Sequence, residues 1–347
     1  MMLRRPVRVL VLLGALSLLL AAACGDDDGG ADVEPSRLPL LGTEGDVPDR
    51  MALAVKIDNT ERGRPPTGLR SADVVFEEVV EGGLTRLLAV YHSEEPDTVG
   101  PVRSARSTDL DILAELGRPA FAWAGANPTF AAAVEAADLI DVGVAAAPDA
   151  YERSDDRPAP YNLYASPSEL WAAALEDEDA ASGDGDGDGV TRPRPLFEYR
   201  AGGTALRGDD VEETGGFRTT GGEIATEIVW EWDEGDAAWV RSQDGSPHVD
   251  IESERITAAN VIIRFTPYRD SGVRDSTGAV VPVADAIGEG EAWLLSDGKL
   301  QRGRWVRADG PERTEFLDAA GEPLRLTPGP TWVEVIPPGT GETIAPA

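Results

Sequence analysis

The sequence predicts an α+β protein, with an N-terminal α+β domain built on a mixed sheet and a C-terminal, mainly β domain. Three observations carry that prediction. Between Ala52 and Tyr91, short runs rich in Val, Ile and Leu are broken by Asx, Pro and Gly turns. Between Thr108 and Trp171, several segments open with helix-start residues. From Glu227 onward the texture changes to short runs carrying Trp and β-branched residues, with turns between them.

Taken in order, the chain opens on a targeting segment. Arg4, Arg5 and Arg8 precede an apolar run, Val9 to Leu20, which ends in Ala21-Ala22-Ala23-Cys24. The run is too short for a bilayer-spanning helix and ends in small residues, as secretory signals do. Cys24 is the only cysteine. Small residues before a lone cysteine read as a lipobox, although Ala21 stands where Leu is commoner. An ordinary signal peptide with a stray cysteine is the competing reading. Residues 1–23 are thus expected to be a signal peptide and Cys24 the lipidation site, with acyl chains holding the protein at the outer, extracytoplasmic face of the cell membrane. Residues 24–47, acidic and Gly-rich at their start, are expected to form a disordered tether.

The N-terminal domain is expected over residues 48–179. Ala52 to Ile57 reads as a strand ending at Asp58-Asn59. Ala72 to Val80 is a second strand, Gly82-Gly83 a two-residue hairpin turn, and Leu84 to Tyr91 the return strand. In that register Val79 faces Arg86. Glu77 and Glu81 then share a face with Arg86, and the three form a structural ion cluster. A one-residue slip would undo it. Thr108 to Asp111 fits a capping box for a helix Asp109–Leu116, stopped by Gly117 and Pro119. Arg103 and Arg106 therefore precede a helix N-terminus, which favours anions. Phe121 to Ala124 is a short strand and Thr129 to Leu139 a helix. Ser166-Pro167-Ser168-Glu169 starts a further helix that runs through Trp171.

Residues 180–221 are expected to be an acidic linker or insertion. Asp184, Asp186, Asp188 and Gly189 imitate an EF-hand opening, but Pro195 stands where the bidentate Glu belongs. The C-terminal domain is expected over 222–339, followed by a tail, 340–347.

Several motifs point to one family. They include V-K-I-D-N at Val55 to Asn59, R-P-P-T-G-L at Arg64 to Leu69 and A-D-V-V-F-E at Ala72 to Glu77. V-E-G-G-L-T-R at Val80 to Arg86, G-P-V-R-S-A-R at Gly100 to Arg106 and T-W-V-E-V-I-P at Thr331 to Pro337 complete the set. The chain resembles the YerB-like bacterial lipoproteins over nearly all its mature length. The resemblance implies a secreted lipoprotein with two consecutive domains of unknown function. It also implies a histidine where this chain has Tyr161, which weakens any acid–base role there.

A formal net charge of -32 argues against nucleic acid as a partner. His92 and His248 are the only histidines, too few for a typical zinc site without carboxylate help. No cofactor or hydrolase motif is present. Glu77 and Glu81 would lie about 13 Å apart along a strand. That is beyond the roughly 9.5 Å limit of a glycosidase pair.

Arg103 and Arg106, with Asp58, Asn59, Asn162 and Tyr164, remain the candidate ligand-binding set. Arginine is suited to bidentate capture of phosphate or carboxylate. The expectation is an envelope protein binding an anionic ligand or partner without catalysis, with no cofactor and no bound metal. The alternative is an enzyme acting on an envelope glycopolymer or lipid-linked phosphate, in which a metal on Asp58 or Glu77 would assist. His248 is expected to pack a turn, and the Trp residues of the second domain to fill its core.

Overall fold

Residues 36–125, 127–176, 191–208, 210–275 and 278–346 are described by the structure, a computed structural model. From Ser36 on they belong to one compact unit. The expected signal peptide, Cys24 and the Asp184–Gly189 imitation of an EF-hand lie outside the described residues.

The α+β class holds. Strands β1 (Leu53–Asp58), β2 (Val74–Val79) and β3 (Thr85–Tyr91) form the centre of an 11-stranded mixed sheet. β3 lies antiparallel between β1 and β2, and β4 (Ala120–Ala122) and β5 (Ile140–Asp141) continue parallel beyond β1. On the other side, β2 pairs in parallel with Thr331–Ile336, close to the C-terminus. That strand leads through Asn260–Phe265 to Gly288–Ser296 and Lys299–Arg307. The two sequence halves therefore share one sheet. A second, six-stranded sheet is built from strands of the later half, including Ile228–Asp233 and Ala238–Gln243.

Every residue of β1, β2 and β3 is buried, because both faces of the sheet are covered. One face carries Val55, Ile57, Val75, Val79 and Leu87. It packs on Trp230 and Trp239 of the second sheet and on helix α3 (Pro167–Glu176), through Leu170 and Trp171. The other face carries Ala54, Val74, Phe76 and Leu88. It packs on helix α1 (Ser107–Leu113), through Ile112 and Leu113, and on Val134 of helix α2 (Pro128–Ala136). The tryptophans fill core, as expected.

Three regions depart from the sequence reading. Leu40, in the expected tether, is buried in the core. Within the expected linker, Leu196 and Phe197 are buried, and Phe197 packs on Phe316 with ring centroids 6.1 Å apart. Apolar side chains flanking an acidic run were enough to dock the backbone around it.

The third departure is the hairpin register. Glu77 pairs with Leu87, Glu78 with Arg86 and Val79 with Thr85, a slip of one residue. The turn holds three residues, Glu81 to Gly83, and is closed by Val80 N–H donating to the Leu84 carbonyl at 2.7 Å. Both glycines take φ of 73°, so two αL residues plus Glu81 make the loop. Because side chains alternate, the slip moves Arg86 to the face opposite Glu77.

Candidate functional site

The slip splits the charges of the first domain into two sets. On the second-sheet side, Glu77 receives Arg241 through two bonds of 2.8 Å. It also accepts from Asn59 Nδ2 at 2.8 Å and Thr85 Oγ1 at 2.7 Å. Glu334, directly across β2, receives Trp230 Nε1 at 2.7 Å, and burial next to Glu77 raises its pKa well above the usual carboxylate range. Arg241 reaches His248 Nδ1 at 2.7 Å, and burial together with that cation pushes the imidazole well below its ordinary pKa. Asn59, expected at a ligand site, thus belongs to a sealed polar network between the sheets. His248 packs within the same network.

On the helix side, Asp58, Arg86 and Glu78 occupy one cross-strand row, with Arg86 in the middle. Neither carboxylate bonds to Arg86. Asp58, fully buried, accepts from Thr60 N and Oγ1 at 2.6 Å and is ion-paired with Arg103. Glu78 is ion-paired with Lys56, which also reaches Asp109 at 2.7 Å. Asp109 sits at N3 of α1, where its other oxygen takes the Arg106 backbone N–H at 2.6 Å. The helix start is therefore Arg106 rather than Thr108. The helical pattern ends in a 3₁₀ turn, Ala114–Leu116.

Arg106 itself is not free. It is paired with Glu81 at 2.8 and 2.9 Å. The expected cluster of Glu77, Glu81 and Arg86 does not form, and the roles are exchanged. Arg86 is only 8% exposed, and its one hydrogen bond runs from Nη1 to the Ser104 carbonyl at 3.2 Å. Its Nε has no partner, and no carboxylate among the described residues stands within ion-pair distance. Burial, and then Arg106 beside it, lower the guanidinium pKa to about 10, which leaves it charged at neutral pH.

Arg86 opens onto a cleft of about 660 Å³. Arg103, Arg106 and Glu81 complete its charged floor, Asn127 and Pro128 at the start of α2 form one wall, and Arg274 and Val281 form the other. Asn127 caps α2 by accepting from Thr129 N at 2.9 Å, so the positive end of that helix borders the cleft. Arg274 is paired with Asp270 at 3.3 Å.

Two other expected residues fall elsewhere. Asn162 holds the hairpin of β6 (Tyr151–Arg153) and β7 (Leu163–Ala165), accepting from Arg153 at 2.8 Å and donating to the Ser154 carbonyl at 2.9 Å. Tyr164 lies beside it on β7, and burial raises its phenol pKa. Tyr161 stacks under Arg103, with the guanidinium carbon 5.3 Å from the ring centroid, which adds a cation–π contact to the Asp58 pair. Asn127 was legible only as the start of a helix and Arg274 and Val281 carried no signal, because a helix start and a strand hairpin far apart in the chain supply the two walls.

The chain matches the N-terminal domain of a family described as proteins of unknown function, DUF3048, over residues 40–181, and its C-terminal domain over 222–333. The chain belongs to the DUF3048 family. A relative from Bacillus subtilis (strain 168), named "Putative lipoprotein YerB", is 27% identical over 327 residues, spanning 92% of each chain. The crystal structure of the YerB protein from Bacillus subtilis superposes with a TM-score of 0.73. It covers 89% of this DUF3048 chain and 99% of the solved one at 23% identity, a likeness of fold. Among the described residues, no helix is long and apolar enough to cross a membrane.

Proposed function

We propose that this chain is a lipid-anchored protein of the bacterial cell envelope that holds an anionic group in the arginine-floored cleft without catalysing its conversion. The observation that carries the binding reading is Arg86. Burying a cation without an ion partner is costly, so such a group is retained where an anion compensates it. Arg103 and Arg106 add positive potential from the same floor, and the N-terminus of α2 adds donor dipoles. A planar guanidinium suits a phosphodiester or a carboxylate equally.

The enzyme alternative draws less support. It needs Asp58, Asn59 and an unpaired carboxylate to converge on the cleft. Asp58 lies behind Arg103, Asn59 is on the opposite face of the sheet, and Glu81 is bound to Arg106. The anchor reading rests on Cys24 after its small residues and on the description of the Bacillus relative as a lipoprotein.

The test is titration of the purified full chain in detergent with dimethyl phosphate and, separately, acetate. Native protein binds at least one of them, and Arg86→Gln weakens that binding tenfold or more while circular dichroism is retained. Equal affinity in the two proteins overturns the assignment of the cleft.

A further inference from the structure

Beneath the cleft floor, four cations and four carboxylates are packed together. Arg86, Arg103, Arg106 and Lys56 stand against Asp58, Glu81, Glu78 and Asp109. The formal charges cancel when all are ionised. An anion placed on Arg86 leaves one negative charge in excess over a largely buried cluster. Such an excess is removed most cheaply by protonating a buried carboxylate.

The geometry selects which one. Asp58 accepts two bonds from Thr60 besides its arginine. Asp109 uses both oxygens, one for Lys56 and one for the Arg106 backbone N–H. Glu81 accepts a hydrogen bond from Arg106 at Oε2, and its Oε1, like Asp58 Oδ2 beside Arg103, has no hydrogen bond but lies within ion-pair distance of its arginine. Glu78 uses only Oε1, for Lys56, while its Oε2 is buried without a partner. Glu78 therefore has an oxygen free to carry a proton.

The groups around Glu78 make it responsive to what lies in the cleft. Lys56 faces it from β1, and Arg86 from β3 in the same row. Asp109 faces it from α1, Arg106 from the helix start, and the Tyr268 hydroxyl from the strand Tyr268–Arg274. On the far side the row continues through Val335 to Arg264, which is occupied by Glu115 and the Ala286 carbonyl. Burial, and then the Asp109 charge, raise Glu78 to about 7, against the pull of Lys56 and Arg106. An anion seated on Arg86 and Arg106 cancels part of that pull.

We infer that capture of an anion in this cleft is coupled to uptake of a proton by Glu78, so that the site holds its ligand more tightly as pH falls. The inference rests on the assignment of the cleft as an anion site. The sign follows from linkage, because a ligand that favours the protonated form must bind better where that form is populated.

The experiment uses the full chain and dimethyl phosphate, which stays a monoanion throughout the range. Affinity is measured from pH 6.5 to 8.5, with calorimetry in buffers of different ionisation enthalpy to count protons. Native protein should lose affinity on the order of tenfold across that range and take up a fraction of a proton approaching one. Glu78→Gln keeps the Lys56 bond and should give a flat profile. Binding that is flat in native protein, or a profile unchanged in Glu78→Gln, overturns the coupling while leaving the site intact. No binding at any pH overturns the site and the coupling with it. The proton count on native protein decides the matter if Glu78→Gln fails to fold.

Discussion

Glu77 and Arg241, 164 residues apart, meet where Arg241 Nη2 donates to both Glu77 carboxylate oxygens at 2.8 Å. The pair ties the central sheet to the second sheet, and both side chains are fully buried. Removing one partner strands the other charge away from water. Arg241→Met should lower the unfolding free energy by about 3–5 kcal/mol in urea denaturation. Arg241→Met combined with Glu77→Leu should cost clearly less than the two single losses added together. Additivity would show that the two side chains act independently.

His92 supplies a pH dependence of known sign. Only 1% exposed, it is held down to about pKa 4 by burial and then by the Arg50 charge. Its folded pKa lies below the unfolded value near 6.5, so the neutral ring contributes stability at neutral pH. That contribution is lost as pH falls from about 6.5 toward 4, amounting to about 3 kcal/mol. Thermal unfolding of His92→Gln should therefore show a shallower decline over that interval than native protein. Parallel curves would mean that the ring does not titrate on unfolding in this window.

Cys24→Ala tests the membrane address. The apolar run Val9 to Leu20 ends in small residues before the only cysteine, where acyl chains would anchor the protein. The variant should appear in the soluble fraction or retain its uncleaved signal on fractionation. Normal processing with full membrane retention would contradict the lipoprotein assignment.

The α+β class, the order of the first three strands and the helix beginning at Pro167 were all legible in the sequence, because β-branched runs and Ser-Pro caps act locally. The hairpin register was not. Gly82-Gly83 signals a turn, but the same letters close a two-residue or a three-residue loop, and the Gly83 carbonyl of the observed loop accepts from the distant Ala225 N–H at 2.7 Å, a contact that no local pattern announces. That one-residue difference exchanged the roles of Arg86 and Arg106. The Thr331–Ile336 strand read as part of a separate domain, because nothing local announces that its partner lies some 250 residues earlier at β2. Arg103 and Arg106 line the cleft, but each is held by a carboxylate, Asp58 or Glu81, that could be seen only in three dimensions.

Those partners change what replacing the arginines should do. Arg103 covers Asp58, which has no exposure of its own, and Arg106 covers Glu81. Arg103→Ala leaves a buried carboxylate with only the two Thr60 donors, at a cost of about 3 kcal/mol. Arg86→Gln leaves no carboxylate without its bonded cation, since none bonds to Arg86, and it removes a buried guanidinium whose desolvation no bonded carboxylate offsets. It should therefore be neutral or stabilising in the absence of ligand, although it weakens binding. Urea midpoints of the two variants, measured side by side without ligand, separate the roles. A native-like midpoint for Arg103→Ala with a large loss for Arg86→Gln would reverse the assignment and make Arg86 the structural cation.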